Sequence, residues 1–300
     1  MQKSLVHTTV LLHESIDGLL VHPGDIYLDG TLGSAGHALC ALEKTRGAIK
    51  VIGLDRDSEA LARSEERLKE FKNVTLRQAS YADLDTVLNE LDIRKVHCIM
   101  LDLGLSSDQF ETSGRGFTFR NDEPLLMTFK KDLDEGDLTA RIIVNTWEEG
   151  NLADVIYGYG EERYARRIAR GIVQYREKKE IETTQELVEI ISHSVPIFYR
   201  KGRLHPATRT FQALRIAVND ELNTLKRGLE RGFERLESKG RMAVISFHSL
   251  EDRIVKNFYK EKAEEGRALI QTKKPITASS KEVSDNPRSR SAKLRIIEKI

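Results

Sequence analysis

Cysteine is almost absent from this 300-residue chain, which holds only Cys40 and Cys98. Two thiols cannot build a disulfide framework or a multi-cysteine zinc site, and without a suitable cysteine pair a zinc-dependent base deaminase is excluded. No segment approaches the roughly 20 apolar residues that cross a bilayer, so no membrane partner is expected. Residues 1–20 carry Glu14 and Asp17 inside their only apolar stretch, which breaks a secretory signal. A cytoplasmic location is the simplest expectation. Charge of one sign is also lacking. Lys plus Arg is 48 and Asp plus Glu is 47, a net of +1, so whole-chain charge is silent about nucleic acid and the local distribution must decide. No internal repeat is present.

What remains is a globular balance, 39% hydrophobic and 32% charged, on a chain long enough for one large domain or two ordinary ones. From residue 25 to about 110, short apolar runs alternate with amphipathic stretches. Asp25–Asp29, Val51–Asp55, Val74–Leu76 and Val96–Leu103 read as strands, with helices at His37–Leu42, Ser58–Phe71 and around Leu84–Leu91. Continuous apolar strands alternating with helices predict a parallel sheet covered on both faces. Residues 111–137 read as a long ordered loop. Then come five helical patterns, at Leu138–Asn145, Leu152–Tyr157, Glu161–Tyr175, Thr184–Ser194 and Ala207–Ala217. A long helix at Asp220–Leu236 precedes a fifth strand at Arg241–Phe247, a helix at Leu250–Glu264, and late strands at Ala268–Thr272 and Lys293–Glu298. The expected organisation is one α/β domain, residues 1–110 and 218–300, interrupted by a loop and helical domain at 111–217.

Charge is uneven within that insertion. Residues 121–162 hold eleven acidic and three basic side chains, whereas residues 163–215 hold twelve basic and five acidic. Arg163, Arg166, Arg167 and Arg170 lie largely off the apolar face of their predicted helix, which carries Tyr164, Ile168 and Ile172. Two readings stand: a solvated basic face, or a surface whose guanidinium forks track phosphates.

Between the first strand and helix lies Asp29-Gly30-Thr31-Leu32-Gly33-Ser34-Ala35-Gly36-His37. Its glycines permit a tight turn and close backbone approach by a ligand, and the helix start supplies free N–H groups. The spacing G-x-x-G-x-x-G is not the dinucleotide fingerprint. Asp55 ends the second strand about 20 residues on, where a carboxylate can receive ribose hydroxyls. Tyr81 follows the third strand and can cover an adenine face. Asp102 ends the fourth. Three acids converging on one crevice suit a cationic, hydroxyl-rich molecule, and S-adenosylmethionine meets that description.

The chain resembles the bacterial RsmH (MraW) methyltransferases along almost its whole length. The resemblance is carried by His7–Glu14, Leu28–His37, Leu101–Ser107, Arg115–Phe119, Tyr159–Arg163, His205–Arg215, Ser246–Arg253 and Asn286–Ser291, in the family's order. It implies a Rossmann-like class I methyltransferase sheet with an inserted all-helical domain that recognises substrate. It implies S-adenosylmethionine as cofactor, and methylation of a cytidine N4 amine in the decoding region of small-subunit (16S) ribosomal RNA, free or in the assembled subunit. Monomer and homodimer both remain open. By motif, Ala35, Gly36 and His37 line the methionine end of the cofactor, Asp55 holds the ribose, Tyr81 flanks the adenine, and Asp102 and Gln109 complete the site. Ala35 and Tyr81 stand where the family usually has Gly and Phe, and Thr9 replaces a common Pro. A larger departure follows Arg115-Gly116-Phe117. The usual Pro-Leu-Asp-Met-Arg-Met-Asp run reads Pro124-Leu125-Leu126-Met127-Thr128-Phe129-Lys130 here, so three charges are missing from their positions.

The cytosine amine is a poor nucleophile because its lone pair is delocalised. Catalysis needs alignment of the reacting atoms and an acceptor aimed at the N–H. Asp102 is the candidate catalytic acceptor, with a purely cofactor-binding role as the alternative; the carbonyls of Leu103 to Leu105 are also candidates. A flipped base finds possible stacking partners in Phe117 and Phe119, or those rings pack the loop. His248, after the fifth strand, is a candidate substrate contact or a hydrogen-bonded edge residue. His205 contacts RNA or caps a helix. Arg209, with Arg163, Arg166 and Arg167, completes the candidate RNA contacts. The basic tail Arg288, Arg290, Lys293 and Arg295 touches phosphate or leads into the last strand. The rival functions are a nicotinamide-dependent dehydrogenase on the same fold and a non-catalytic RNA-binding or ribosome-assembly protein.

Overall fold

Strands form where β-branched and apolar residues are densest. In the computed structural model, which describes residues 9–104, 113–130 and 132–300, β1 spans Ile26–Asp29, β2 Lys50–Asp55, β3 Val74–Gln78, β4 Val96–Asp102, β5 Leu236–Ser246, β6 Ala268–Ile270 and β7 Lys293–Lys299. They make one sheet in the order β3-β2-β1-β4-β5-β7-β6. The pairs from β3 across to β5 are parallel, and β7 runs antiparallel to both β5 and β6. The Rossmann-like α/β sheet read from the sequence is therefore present.

Alternation along each strand feeds two apolar layers. Leu28, Ile99, Leu101, Met242 and Val244 face one, packed with Leu84, Leu225, Phe233 and Tyr259 from the helices. Tyr27, Cys98, Met100, Ala243 and Ile245 face the other, with Ile16, Leu19, Ala38 and Leu42. Covering both faces explains why these strands read as unbroken apolar runs. The register aligns the strand ends: Asp29 sits opposite Gly53 and Met100, Asp55 opposite Gln78, and Asp102 opposite Ile245. Because β1 lies between β2 and β4, the chain changes winding direction beside β1. A crevice opens at such a switch point beyond the carboxyl ends of the strands.

The described residues divide into two compact units. The first runs to Gly104 and resumes at Leu222; the second continues from Leu105 to Glu221. The second is helical, with Ala140–Thr146, Glu149–Gly160, Ala165–Arg176, Thr184–Ser194 and Thr208–Asn219 around a core that includes Ile143, Ile156, Ile168, Leu187 and Leu214. Thr183 and Glu186 close a reciprocal capping box. Gly160 is obligatory at one helix crossing, since a Cβ there would lie 2.5 Å from the Arg209 carbonyl oxygen.

Several elements depart from the sequence reading. The helix placed at Glu161–Tyr175 starts only at Ala165. Glu161 takes φ 49° as the left-handed cap of the preceding helix, and the Glu162 carboxylate accepts the Tyr164 N–H at 2.8 Å. Arg163 thus lies in a turn rather than on a helix face. Strand β5 begins at Leu236, five residues before its apolar run, and β-pairing of Leu236 with Val96 explains the extension. Short helices at Leu12–Leu19 and Ile197–Arg200 carried too few periodic positions to be read.

Candidate active site

The loop after β1 is tied to the strands on either side. Gly30 N–H donates to the Met100 carbonyl at 2.9 Å and Leu32 N–H to the Leu54 carbonyl at 2.9 Å. Thr31 Oγ1 accepts the Asp102 N–H at 2.6 Å. Gly33 N–H donates to Asp55 Oδ2 at 2.8 Å, and Asp57 N–H to Asp55 Oδ1 at 2.9 Å. From below, Ser64 Oγ donates to the Gly33 carbonyl at 2.7 Å and Arg67 to the Ser34 carbonyl at 2.7 Å.

The turn into the Gly36–Lys44 helix passes through Ala35 at φ 59° and ψ 28°. This is the left-handed region that glycine enters without cost, so the physical preference at this position is the one the resemblance names. Ala35 caps no amide with its own side chain. Gly36 is sterically required: a Cβ would fall 1.8 Å from Thr9 Oγ1.

Asp29, Asp55 and Asp102 stand at three adjacent strand ends, and all three are harder to ionise than an ordinary carboxylate. Burial raises Asp29 to about 7, with the Asp55 charge adding to it and the Thr31 amide, 3.2 Å from Oδ1, opposing it. Burial likewise raises Asp55, against the hydrogen bonds from Asp57 and Gly33. Asp102 is raised well above its usual range by burial, then by Asp29 and Glu251. Its Oδ1 is buried without a hydrogen-bond partner among the described residues. His37, itself buried, brings Nδ1 to 3.9 Å from Asp102 Oδ2.

Tyr81 opens the short Tyr81–Asp83 turn after β3, which Ser80 caps through the Ala82 N–H. The ring is half-buried and lies along Gly228, where a Cβ would approach Cδ2 to 2.4 Å. Tyr81 also stands against the loop after β1, since a Cβ at Gly30 would lie 2.8 Å from the Tyr81 Cβ. Gln109, the remaining cofactor candidate, lies outside the described residues.

His248 caps the Ser249–Glu264 helix. Its Nδ1 accepts the Glu251 N–H at 3.4 Å, and its Nε2 lies 3.1 Å from Glu251 Oε1. Glu251 returns the bond through Oε2, which accepts the His248 N–H at 3.3 Å and also the Phe247 N–H at 2.9 Å. The sequence reading missed Glu251, although His248-x-x-Glu251 imitates the spacing of a capping box. It also missed Thr31, whose link to β4 leaves no local signal.

A family model, the MraW methylase family, matches residues 4–300. The chain belongs to that family. Relatives named "Ribosomal RNA small subunit methyltransferase H" include one from Kosmotoga olearia, 48% identical over 98% of this chain and 97% of its own. Another, from Geotalea daltonii, is 47% identical over 98% of both chains. Among solved structures, an rRNA methylase from Streptococcus thermophilus aligns over 98% of this chain and 99% of its own at a TM-score of 0.47 and 12% identity, a likeness too distant to bear on function. Membership sets aside the nicotinamide dehydrogenase. The cofactor of the methylase is accordingly S-adenosylmethionine.

The donor set fits that molecule. Each carboxylate oxygen can accept about two hydrogen bonds, so Asp55 retains capacity for a ribose diol. The orphaned Asp102 Oδ1 calls for a donor or a cation. An ammonium or sulfonium near these buried acids would favour their ionised forms.

In the helical unit of the methylase, Phe117 is buried in the core and stacks on Phe129, with centroids 5.8 Å apart. Phe119 stacks instead on His205 at 4.6 Å. His205 Nδ1 accepts the Ala207 N–H at 3.3 Å. Arg163, Arg166 and Arg167 are exposed, and none has an ion-pair partner among the described residues. Arg209 donates to the Glu161 carbonyl at 3.4 Å and lies 3.5 Å from the Tyr199 hydroxyl.

The altered 124–130 run is held without the missing charges. Buried Arg115 donates to the carbonyls of Thr128 and Phe129, at 3.2 and 2.7 Å. Buried Asn219 accepts the Phe129 N–H at 2.9 Å and donates to the Met127 carbonyl at 2.7 Å. Lys130, where the family carries an acid, pairs with Asp134 and, at 2.8 Å, with Asp137.

Proposed function

We propose that this methylase methylates the exocyclic N4 amine of a cytidine in the decoding region of 16S ribosomal RNA, and that the helical unit binds the RNA. The observation that carries the reading is the Asp102 carboxylate at the β4 end, with a buried oxygen that has no hydrogen-bond partner among the described residues, beside the Asp29 and Asp55 strand ends. The names of the relatives support the RNA substrate. The exposed arginines of the helical unit support the site of its binding.

When bound, S-adenosylmethionine supplies an electrophilic methyl group. The residues of the chain do the rest. Ala35, Gly36 and His37 receive its methionine end, Asp55 accepts from its ribose, Tyr81 flanks its adenine, and Gln109 completes its site. Asp102 Oδ1 accepts a hydrogen bond from the cytidine amine. A C–N bond to the methyl would replace its S–C bond and release a neutral thioether; positive charge would build on nitrogen, and an aimed carboxylate would stabilise that charge and take the proton. Its raised proton affinity makes it a stronger base than an exposed aspartate. Alignment of the reacting atoms supplies the larger share of the rate, up to ~7–11 kcal/mol in well-oriented systems. His248, committed to its helix cap, acts by fixing the β5 end.

The test is mass spectrometry of nucleosides from 16S ribosomal RNA of cells with and without the gene, complemented by wild type or Asp102→Asn. One N4-methylated cytidine should vanish on deletion, return with wild type, and stay absent or scarce with the variant. Identical digests with and without the gene would overturn the assignment and revive the non-catalytic assembly protein.

A further inference from the structure

The helical unit exposes three large apolar side chains within one short stretch of chain. Ile197 is 69%, Phe198 67% and Leu204 57% exposed. Their neighbour Tyr199 is anchored instead: its hydroxyl donates to the buried Glu162 carboxylate at 2.6 Å, and its ring meets Tyr164 edge-on at 4.9 Å. That anchor fixes the short Ile197–Arg200 helix and leaves the Phe198 ring outward. The Arg163 guanidinium lies over the Tyr164 and Tyr199 rings, at 4.8 and 5.0 Å, and 6.0 Å from the centre of Phe198.

The rim is basic. No Asp or Glu occurs between Glu189 and Asp220, a stretch that contains Arg200, Lys201 and Arg203. Glu161 is the exposed acid of the adjoining turn, while Glu162 is buried and hydrogen-bonded to Tyr199. An outward aromatic ring near exposed cations that form no ion pair among the described residues matches one chemistry best. Unpaired bases stack on the ring, and their phosphates run along the cations. A protein surface has no matching need for so many cations.

Resting on the RNA-substrate reading above, we propose that Phe198, with the exposed Ile197 and Leu204 near it in the chain, is a stacking platform for an unpaired base of the substrate RNA. Arg163 is a positioning residue beside it. This platform anchors the strand; it does not receive the target cytidine.

The experiment measures binding of the full-length protein, with cofactor present, to two probes: protein-free 16S ribosomal RNA and small subunits purified from cells lacking the gene. Phe198→Ala, at an exposed position that should not disturb folding, is expected to weaken both about tenfold or more. Phe198→Trp should retain wild-type affinity. The slope of binding against salt should be unchanged in Phe198→Ala, because no phosphate contact is lost. Arg166→Glu with Arg167→Glu should flatten that slope. Cofactor affinity by calorimetry should stay at the wild-type value in Phe198→Ala. Undiminished RNA binding by Phe198→Ala overturns the platform alone. So does a loss confined to assembled subunits, which assigns the face to a ribosomal protein, or a change in sedimentation, which assigns it to a second copy of the chain. Failure of wild type to bind either probe overturns the RNA reading and the platform with it.

Discussion

Asp55 holds the Gly33 amide at 2.8 Å. The carboxylate assigned to the ribose is therefore also the bolt that fastens the glycine loop to the end of β2. Its second oxygen takes the Asp57 N–H, which continues into the cap of the Ser58–Leu68 helix. One side chain sets the shape of the loop and retains lone pairs for a ligand.

Asp55→Ala should therefore weaken S-adenosylmethionine binding by roughly ten- to hundredfold, the size of a hydrogen bond to a charged group at about 1.5–3 kcal/mol. Asp55→Asn keeps an acceptor for Gly33 but loses the charge, and should fall between wild type and alanine. Both should remain folded, because removing a buried, reluctantly ionised carboxylate relieves desolvation. Titration calorimetry and thermal melts check this; unchanged affinity in the alanine variant would remove the ribose role.

Asp102→Asn should slow methyl transfer by roughly 10²–10⁴ at saturating cofactor, the usual range for a lost proton acceptor. The amide presents N–H to a substrate that also presents N–H. Single-turnover methylation of small subunits, with cofactor affinity measured alongside, separates the two roles. If affinity falls and the saturated rate does not, Asp102 is a cofactor ligand only.

The strand-end acids also predict a pH dependence. Asp29, raised to about 7, and Asp55 and Asp102, also raised, keep protons in the folded protein that the unfolded chain has released. The folded state thus binds more protons between the ordinary carboxylate range, near ~4, and about 7. Stability of the ligand-free protein should fall as pH rises through that window. Cofactor affinity should rise over the same interval as the cation meets ionised acids. Melting temperatures at about pH 6 and about pH 8 read the first effect, and Asp29→Asn should flatten it. A melt that is higher at the alkaline end would contradict the assignment.

Asn219→Leu tests the clasp on the 124–130 run. Removing bonds to the Met127 carbonyl and Phe129 amide leaves buried backbone groups unpaired, at about 1–3 kcal/mol each. The variant should be destabilised and cleaved faster between residues 113 and 137 in limited proteolysis. Wild-type cleavage rates would show that Arg115 suffices.

How much of this was written along the chain differs by residue. Asp29, Asp55 and Asp102 each close an apolar run, so placing the strands placed the acids at one edge. Periodicity found the helix of Arg166 and Arg167 but misjudged Arg163, because Glu161 turns left-handed and Glu162 caps the next turn. Phe117 and Phe119 looked equivalent as stacking candidates. Packing divides them, with Phe117 buried on Phe129 and Phe119 placed against His205. The charges missing from 124–130 looked like a lost device, yet Asn219 grips that run from 90 positions away along the chain.

Sequence alone determined the parallel sheet, the glycine turn and the acids beyond the strands, because alternation, turn chemistry and strand ends are local properties of neighbouring residues. Tertiary structure decided which atoms remain available. Thr31 occupies the Asp102 amide across 71 positions, Asp102 Oδ1 is buried without a hydrogen-bond partner among the described residues, and Tyr199 is tied down while Phe198 beside it is exposed. Such partnerships join residues distant in the chain, and only the packed fold brings them within hydrogen-bond reach.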